Sequence, residues 1–409
     1  MVSLILCIIV TLNYNINLYG CICTHTGINI FFMKLNFVKE VLVSGLLYSF
    51  LCVVSCSPKK TLGEFDVNNI ETLDVEVDST CFSDEYDMEI IKLDNSKNSI
   101  ISQVHKLIVN SKGILVFDNS SVPQIFSFDH SGKYLSKIGK YGHAKNEYDH
   151  ILDVCSNDNG DSIVLLQFER VKLFDDKGNY LSSCSIDTKY HWEHIERNCN
   201  GGYVGASDYT HEDKLLNICD NSFNVVCDFI DSKDISVEHG SYIWNPIWSS
   251  HGKIVFCDFY FSSIYVTDVE TCQTTCYKIN TGNTAPVEEV KNGIKEYDNF
   301  LDVEYDGENV FGHIIHKKRC NIFKFDIEKK TFIIYGYAED WYPTIKAYHD
   351  GYFYAVLTPT FLLSLLKEEP RYMYKKTYAA LRKALEPYAD DLNEMDNLYI
   401  LKMKKKNKQ

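Results

Sequence analysis

With 409 residues, 45% of them hydrophobic and 13% aromatic, the chain can bury a full core, and its 28 Tyr and 23 Phe favour strands, whose pleated faces suit aromatic side chains. A formal net charge of −15 repels phosphate backbones, and the C-terminal basic cluster of Lys402, Lys404, Lys405, Lys406 and Lys408 reads as a solvated chain end, so no nucleic-acid partner is expected. The 15 cysteines show no CxxC pair and no zinc spacing; metal binding is not expected, and Cys155, Cys184, Cys219, Cys227, Cys257 and Cys276 read as small buried hydrophobes in or beside strands.

From Met33 the chain reads MKLNFVKEVLVSGLLYSFLCVVSCS, with Lys34 and Lys39 ahead of an apolar run over residues 41–54 and then Ser55 and Cys56. That is the pattern of a signal peptide, and the run is too short for a comfortable membrane span. Val53-Val54-Ser55-Cys56 resembles the bacterial lipobox, which implies a diacylated Cys56 as the mature first residue and a membrane partner through that lipid. The alternative is an uncleaved anchor, supported by a second apolar stretch over residues 2–12. Met33 followed by Lys34 is the expected start, which would leave 1–32 untranslated within a 1–56 leader. Either way the folded part is expected outside the cytoplasm. Residues 57–86 read as a linker and N-terminal extension.

Beyond the leader a glycine follows a polar turn and opens a β-rich run at Gly113, Gly160, Gly202, Gly252, Gly307 and Gly351. The period, about 48 residues, is that of propeller blades and kelch-like repeats. Out of phase with it, a short strand ends at Asp129, Asp175, Asp220, Asp268 and Asp326, each followed by a turn and another alternating run, as in a hairpin. Each unit therefore reads as four strands, over about 104–109, 114–117, 124–128 and 134–138 in the first. Such units cannot bury both faces alone, so radial stacking is expected.

The sixth unit supplies strands only around 345–348 and 352–357. A helical stretch over 368–392 follows, with Tyr378, Leu381, Leu385 and Tyr388 on one face, and residues 397–401 read again as a strand. Residues 88–93 are expected to pair with this end of the chain and close the ring, removing exposed edges. The expected fold is all-β: a six-bladed β-propeller of four-stranded antiparallel blades over 87–403, with a helical insertion in the last blade and a basic tail over 404–409.

The runs PQIFSFDHSGKYLSKIGKYGHAKNEY and SIVLLQFERVKLFDDKGNYL resemble the six-bladed β-propeller lipoproteins of gut Bacteroidota, over most of the mature chain. That family commonly carries a lipobox, a Gly-rich segment ending in Glu-Tyr after the first blade, and a C-terminal helix leading to a final strand. The matching positions are Cys56, residues 139–148 and residues 397–401. The family segment runs close to G-x-G-x-G-P-G-E-Y, whereas this chain has lost the Pro and one Gly but keeps Glu147 and Tyr148. The resemblance implies a fold and an envelope address, at the outer membrane, more than a chemistry.

No nucleophile elbow, P-loop, HExxH, EF-hand loop or cofactor motif is present, so an enzyme is the less favoured reading. A binding or scaffold module is expected, presenting one propeller face to a glycan, a peptide or an envelope protein partner. The rival is a polysaccharide-acting hydrolase or lyase in the central channel. The face where loops lead into the inner strands should gather Tyr148, His150, Trp192, Tyr209, His211, Trp244 and Trp341, whose aromatic area and polar tips suit sugars or peptide side chains. Trp192 and Trp244 also fit as wedges between blades. His313 and His316, beside Lys317, Lys318 and Arg319, read as an anion site or a solvated loop. The rim that holds the short glycine turns is expected to leave little room for a pocket.

Overall fold

The computed structural model describes residues 67–78, 82–187, 189–198, 201–207, 214–231, 246–258, 262–271, 273–283, 297–335, 343–370 and 373–406. All lie in one unit, Leu62–Gln409. The 1–56 leader with Cys56 falls outside them.

Two strands precede the repeats, β1 (Val67–Asp78) and β2 (Tyr86–Lys92). The first sheet is β3 (Val104–Asn110), β4 (Gly113–Asp118), β5 (Gln124–Phe128) and β6 (Tyr134–Lys137); the second is β7 (Asp153–Ser156), β8 (Ile163–Gln167), β9 (Arg170–Phe174) and β10 (Tyr180–Ser185). The third is β11 (Trp192–Arg197), β12 (Tyr203–Ser207), β13 (Lys214–Cys219) and β14 (Val225–Asp231). Every pairing in these sheets is antiparallel. Both of the sequence's landmarks have a physical cause. Gly113 sits at φ +154°, and a Cβ there would lie 2.0 Å from the Phe128 carbonyl oxygen. Asp129 Oδ1 accepts from the backbone N–H of Ser131 and Lys133, and Asp175 and Asp220 repeat this two and four residues on, so each carboxylate closes its hairpin turn.

Six separate four-stranded sheets were expected, and here the structure differs. β15 (Ile247–Ser250), β16 (Lys253–Asp258), β17 (Ser263–Asp268) and β18 (Gln273–Asn280) share a nine-stranded sheet with β19 (Asn299–Tyr305), β20 (Asn309–His316), β21 (Arg319–Asp326) and β22 (Thr331–Tyr335). The join is β1, which runs parallel to β18 through Asp74 and then parallel to β22 from Val75 to Asp78. Alternation in NNIETLDVEVD gives it the period of a strand, and the two outer edges it meets would otherwise carry unpaired backbone groups. Part of the 57–86 extension is therefore structural.

The last sheet, β2-β25-β24-β23, combines β23 (Ile345–His349) and β24 (Tyr352–Leu357) with β25 (Tyr399–Lys405), and β25 pairs with β2 from Tyr86–Lys405 to Lys92–Tyr399. Both chain ends thus share one sheet, as the sequence suggested. β25 runs on into the basic tail: Lys404 and Lys405 are ladder residues opposite Asp87 and Tyr86. The helical stretch begins earlier than expected and is divided, into Pro359–Lys367, capped by the Thr358 hydroxyl, and Lys375–Leu385. Leu362, Leu365, Leu381 and Leu385 are fully buried against β23–β25, so the apolar faces of these helices belong to the core.

The middle strands β4 and β8 are buried at every position, whereas outer β6 and β10 are half exposed. Apolar layers explain this. One joins Leu115, Phe117 and Ile125 to Val154, Leu165 and Phe174, and another joins Ile91 and Ile400 to Leu107, Ile114 and Phe126, so the last sheet packs on the first. The first strands β3, β7, β11, β15, β19 and β23 each neighbour the next, and β23 returns to β3. They enclose the axis.

Candidate functional site

Most strand positions that face an axis are expected to be apolar, yet here the first strands place charges there. Lys106 on β3 is buried, its Nζ 3.0 Å from Asp153 Oδ2 on β7 and 2.9 Å from Glu196 Oε1 on β11. Asp153 is held further by the backbone N–H of Val154 at 2.7 Å and of Ile195 at 2.9 Å. Burial alone would depress the Lys106 pKa, and the two carboxylates reverse that and raise it. Across the ring, Asp302 on β19 accepts from the backbone N–H and pairs with Nδ1 of His313, both at 2.8 Å, and lies 3.9 Å from Lys346 Nζ on β23.

Two carboxyls in this set are pushed towards the neutral form. Glu304 on β19 is buried, which with nearby Asp302 and Glu196 raises its pKa well above 4.5, and its Oε2 has no hydrogen-bond partner among the described residues. Burial also raises Glu196, against the pull of Lys106. Asp302 moves the other way, because His313 and Lys346 outweigh its burial. The channel therefore holds acidic groups with opposed proton affinities, pinned by two lysines.

Above this floor lies a cavity of about 740 Å³. Its walls include Lys106 and Glu196, and its mouth is formed by Asn110, Asn157, Asn198, Ser250 with His251, and His349 with Asp350. These sit at or beside the turns after β3, β7, β11, β15 and β23. The rim of short glycine turns, expected to leave little room for a pocket, holds this cavity, because tight turns keep the strands from roofing the axis. His251 and Asp350 are exposed, and burial lowers the His349 pKa.

A second cavity, about 610 Å³, lies on the opposite rim between the β6–β7 loop and the β8–β9 turn. It is lined by His150, whose ring stacks on Phe168 at 4.6 Å with 11° between planes. The loop is held by Glu147, which takes Lys140 Nζ at 3.0 Å and the Ala144 N–H at 3.1 Å, and by Tyr148, buried between the first two sheets. The Glu-Tyr anchor thus operates without the missing Pro.

Of the other residues expected on this face, Trp192 is packed in the core between the second and third sheets, its Nε1 donating to Asn217 Oδ1 at 2.6 Å and its indole lying on Gly205. The covered rings of Tyr148 and Trp192 offer no platform, and of the three expected residues that are described His150 alone lines the cavity. Tyr209, His211, Trp244 and Trp341 lie outside the described residues. His313 and His316 are neither an anion site nor a solvated loop: both are buried, with Nδ1 on Asp302 and on Asp298 at 2.6 Å. Among the described residues no three His, Cys, Asp or Glu side chains converge as a metal site, and Cys155, Cys184, Cys219, Cys257 and Cys320 carry free thiols.

Lys106, Glu196, Asp302, Glu304 and Lys346 escaped the sequence reading, although a signal existed for most of them. Lys106, Asp153, Asp302, Glu304 and Lys346 are charges inside largely apolar runs just before a glycine turn, VHKLIV, LDVCS, FLDVEY and TIKAY, whereas Glu196 lies in the polar run WEHIER.

Comparison with known proteins places these features in a family. The domain of unknown function DUF4934 matches residues 64–404, and the chain belongs to that family. A protein from Bacteroides fragilis described as exported has a similar fold, with 16% identity, a TM-score of 0.65, and coverage of 83% of this chain and 100% of its own. A DUF4221-family protein from Bacteroides vulgatus aligns at 10% identity over 80% of this chain and 100% of its own, with a TM-score of 0.49. None of the curated proteins matches. No helix among the described residues is long and apolar enough to cross a membrane.

Proposed function

We propose that this DUF4934 protein is a six-bladed propeller that works outside the cytoplasm, tethered to the outer membrane through lipid on Cys56, and binds a hydroxylated ligand in the mouth of its central channel. A glycan fits this mouth better than a peptide or an envelope protein partner. Six blades follow if β15–β18 and β19–β22 count separately with β1 as a strap between them, a reading that the ring of first strands supports. The leader and lipobox pattern before Cys56 supports export, as does the B. fragilis relative described as exported.

The observation that carries the binding reading is the 740 Å³ cavity with its amide, hydroxyl, carboxylate and imidazole mouth over a floor whose lysine is already neutralised. Such groups exchange hydrogen bonds with sugar hydroxyls, and the paired floor adds no net pull on an ion. The test is a glycan and peptide array followed by calorimetry on the best binder. The double variant His251→Ala, His349→Ala should weaken binding about tenfold or more at unchanged melting temperature. Undiminished binding would move the site elsewhere.

A second reading, hydrolysis or lysis of a polysaccharide in the channel, draws on one observation: buried Glu304 and its neighbour Asp302 have pKa values pushed in opposite directions, up by burial and down by His313 and Lys346. It requires turnover that Glu304→Gln abolishes. A wild type that binds glycan and leaves it intact favours the binder.

A further inference from the structure

The channel leaves the second cavity without a role, and that cavity has a chemistry of its own. Lys172 points inward from β9 and is 6% exposed; its Nζ donates to the backbone carbonyls of Lys145 and Glu147. Those acceptors are neutral. Among the described residues no carboxylate lies within salt-bridge distance of it, so its third N–H and its full charge remain unanswered. Arg170, two residues earlier on the same face of the strand, is exposed at the lip. On a chain of net charge −15, a concavity with two unpaired cations is a local attractor for anions.

The remaining walls narrow the anion. Phe168 is 65% exposed, with one ring face stacked on His150. Its position gives a flat apolar surface beside the cations, the complement of the C–H face of a pyranose. Gln167 is buried; its Nε2 donates to Asp149 Oδ1 and to the His150 carbonyl, both at 2.8 Å, while its Oε1 has no partner among the described residues. Asp149, also 3.5 Å from His143, and Glu169 are the carboxylates on the wall, and both can accept from hydroxyls.

We propose that this loop-rim cavity is a second binding site, for a carboxylated sugar: a uronic acid unit of an acidic glycan, with its carboxylate on Arg170 and Lys172 and its ring on Phe168. The site is independent of the channel.

Calorimetry on the full chain with trigalacturonate, its methyl ester and a neutral galactose trimer tests it. Trigalacturonate should bind, and the ester and neutral trimer should bind about tenfold more weakly or worse. Arg170→Gln and Phe168→Ala, both at exposed positions, should each weaken trigalacturonate about tenfold while leaving the melting temperature unchanged. His251→Ala with His349→Ala should leave it untouched, which separates this site from the channel. Absence of trigalacturonate binding, equal binding of the neutral trimer, full affinity in Phe168→Ala, or equal binding of triglutamate, which carries carboxylates without a sugar ring, would each overturn the proposal.

Discussion

Lys106 on β3 and Glu196 on β11 meet at 2.9 Å although β7 stands between their strands in the ring, so one ammonium fastens three successive sheets at the axis. Replacing it by Met would leave Asp153 and Glu196 buried without a cation. Lys106→Met should cost about 3–5 kcal/mol, read by denaturant unfolding, whereas neutralising all three, with Asp153→Asn and Glu196→Gln added, should recover much of the loss. A single variant as stable as wild type would mean that the cluster is solvated.

Glu304 offers the cleanest pH test. Its folded pKa lies above the ordinary 4.5, so the folded protein keeps a proton that the unfolded chain releases. Its contribution is fully present below about pH 4.5 and is lost as pH rises towards the folded value. Glu304→Gln should therefore match wild type near pH 4 and become progressively more stable than it as pH rises above about 4.5, in melts across a pH series. A pH-independent difference would contradict this.

Ring closure rests on Asn397 as much as on a strand. Its Nδ2 donates to the carbonyls of Asp94 and Ser99, and its Oδ1 accepts from the N–H of Ile101 and Leu398. Asn397→Ala leaves several of these buried, and about 2–4 kcal/mol should be lost in thermal or chemical melts. Deleting residues 397–409 removes β25, the shared partner of β2 and β24, and should yield aggregated protein by gel filtration.

Anchoring should depend on Cys56, because Cys52 lies too early for the cleavage pattern. Metabolic labelling with a fatty-acid analogue is expected to mark the wild type and miss Cys56→Ala. Equal labelling of both would remove the lipid anchor.

Hairpins were legible because their signals are local. Gly113 and Asp129 each meet a demand of their own turn, and the strands of the first sheet fall within a residue or so of where the turns place them. The pairing of β2 with β25 was legible as an unmet need, since two strands cannot make a four-stranded sheet. The parallel pairing of β1 was not: nothing in NNIETLDVEVD names β18 or β22 as its partner, and only the folded ring brings those edges together. Trp192 shows the same limit at the site. Its sequence context admits a ligand platform but favours a packed wedge, and burial against Gly205 and Asn217 makes it the wedge. Lys106 and Glu304 were hidden because a charge in a strand usually faces water, and here the strand faces the axis.

The placement of β1 governs how the molecule would carry load. A pull on the chain ahead of Val67 arrives first at a strand laddered along its length to β18 and then to β22. Tension along that strand is shared among many hydrogen bonds acting together, the geometry of shearing, in contrast to the peeling of an edge one bond at a time. The seam that completes the ring, β2 on β25, lies downstream of this grip and is shielded from the force. A load entering at Val67 would thus be borne by β1 while the ring of sheets stays closed.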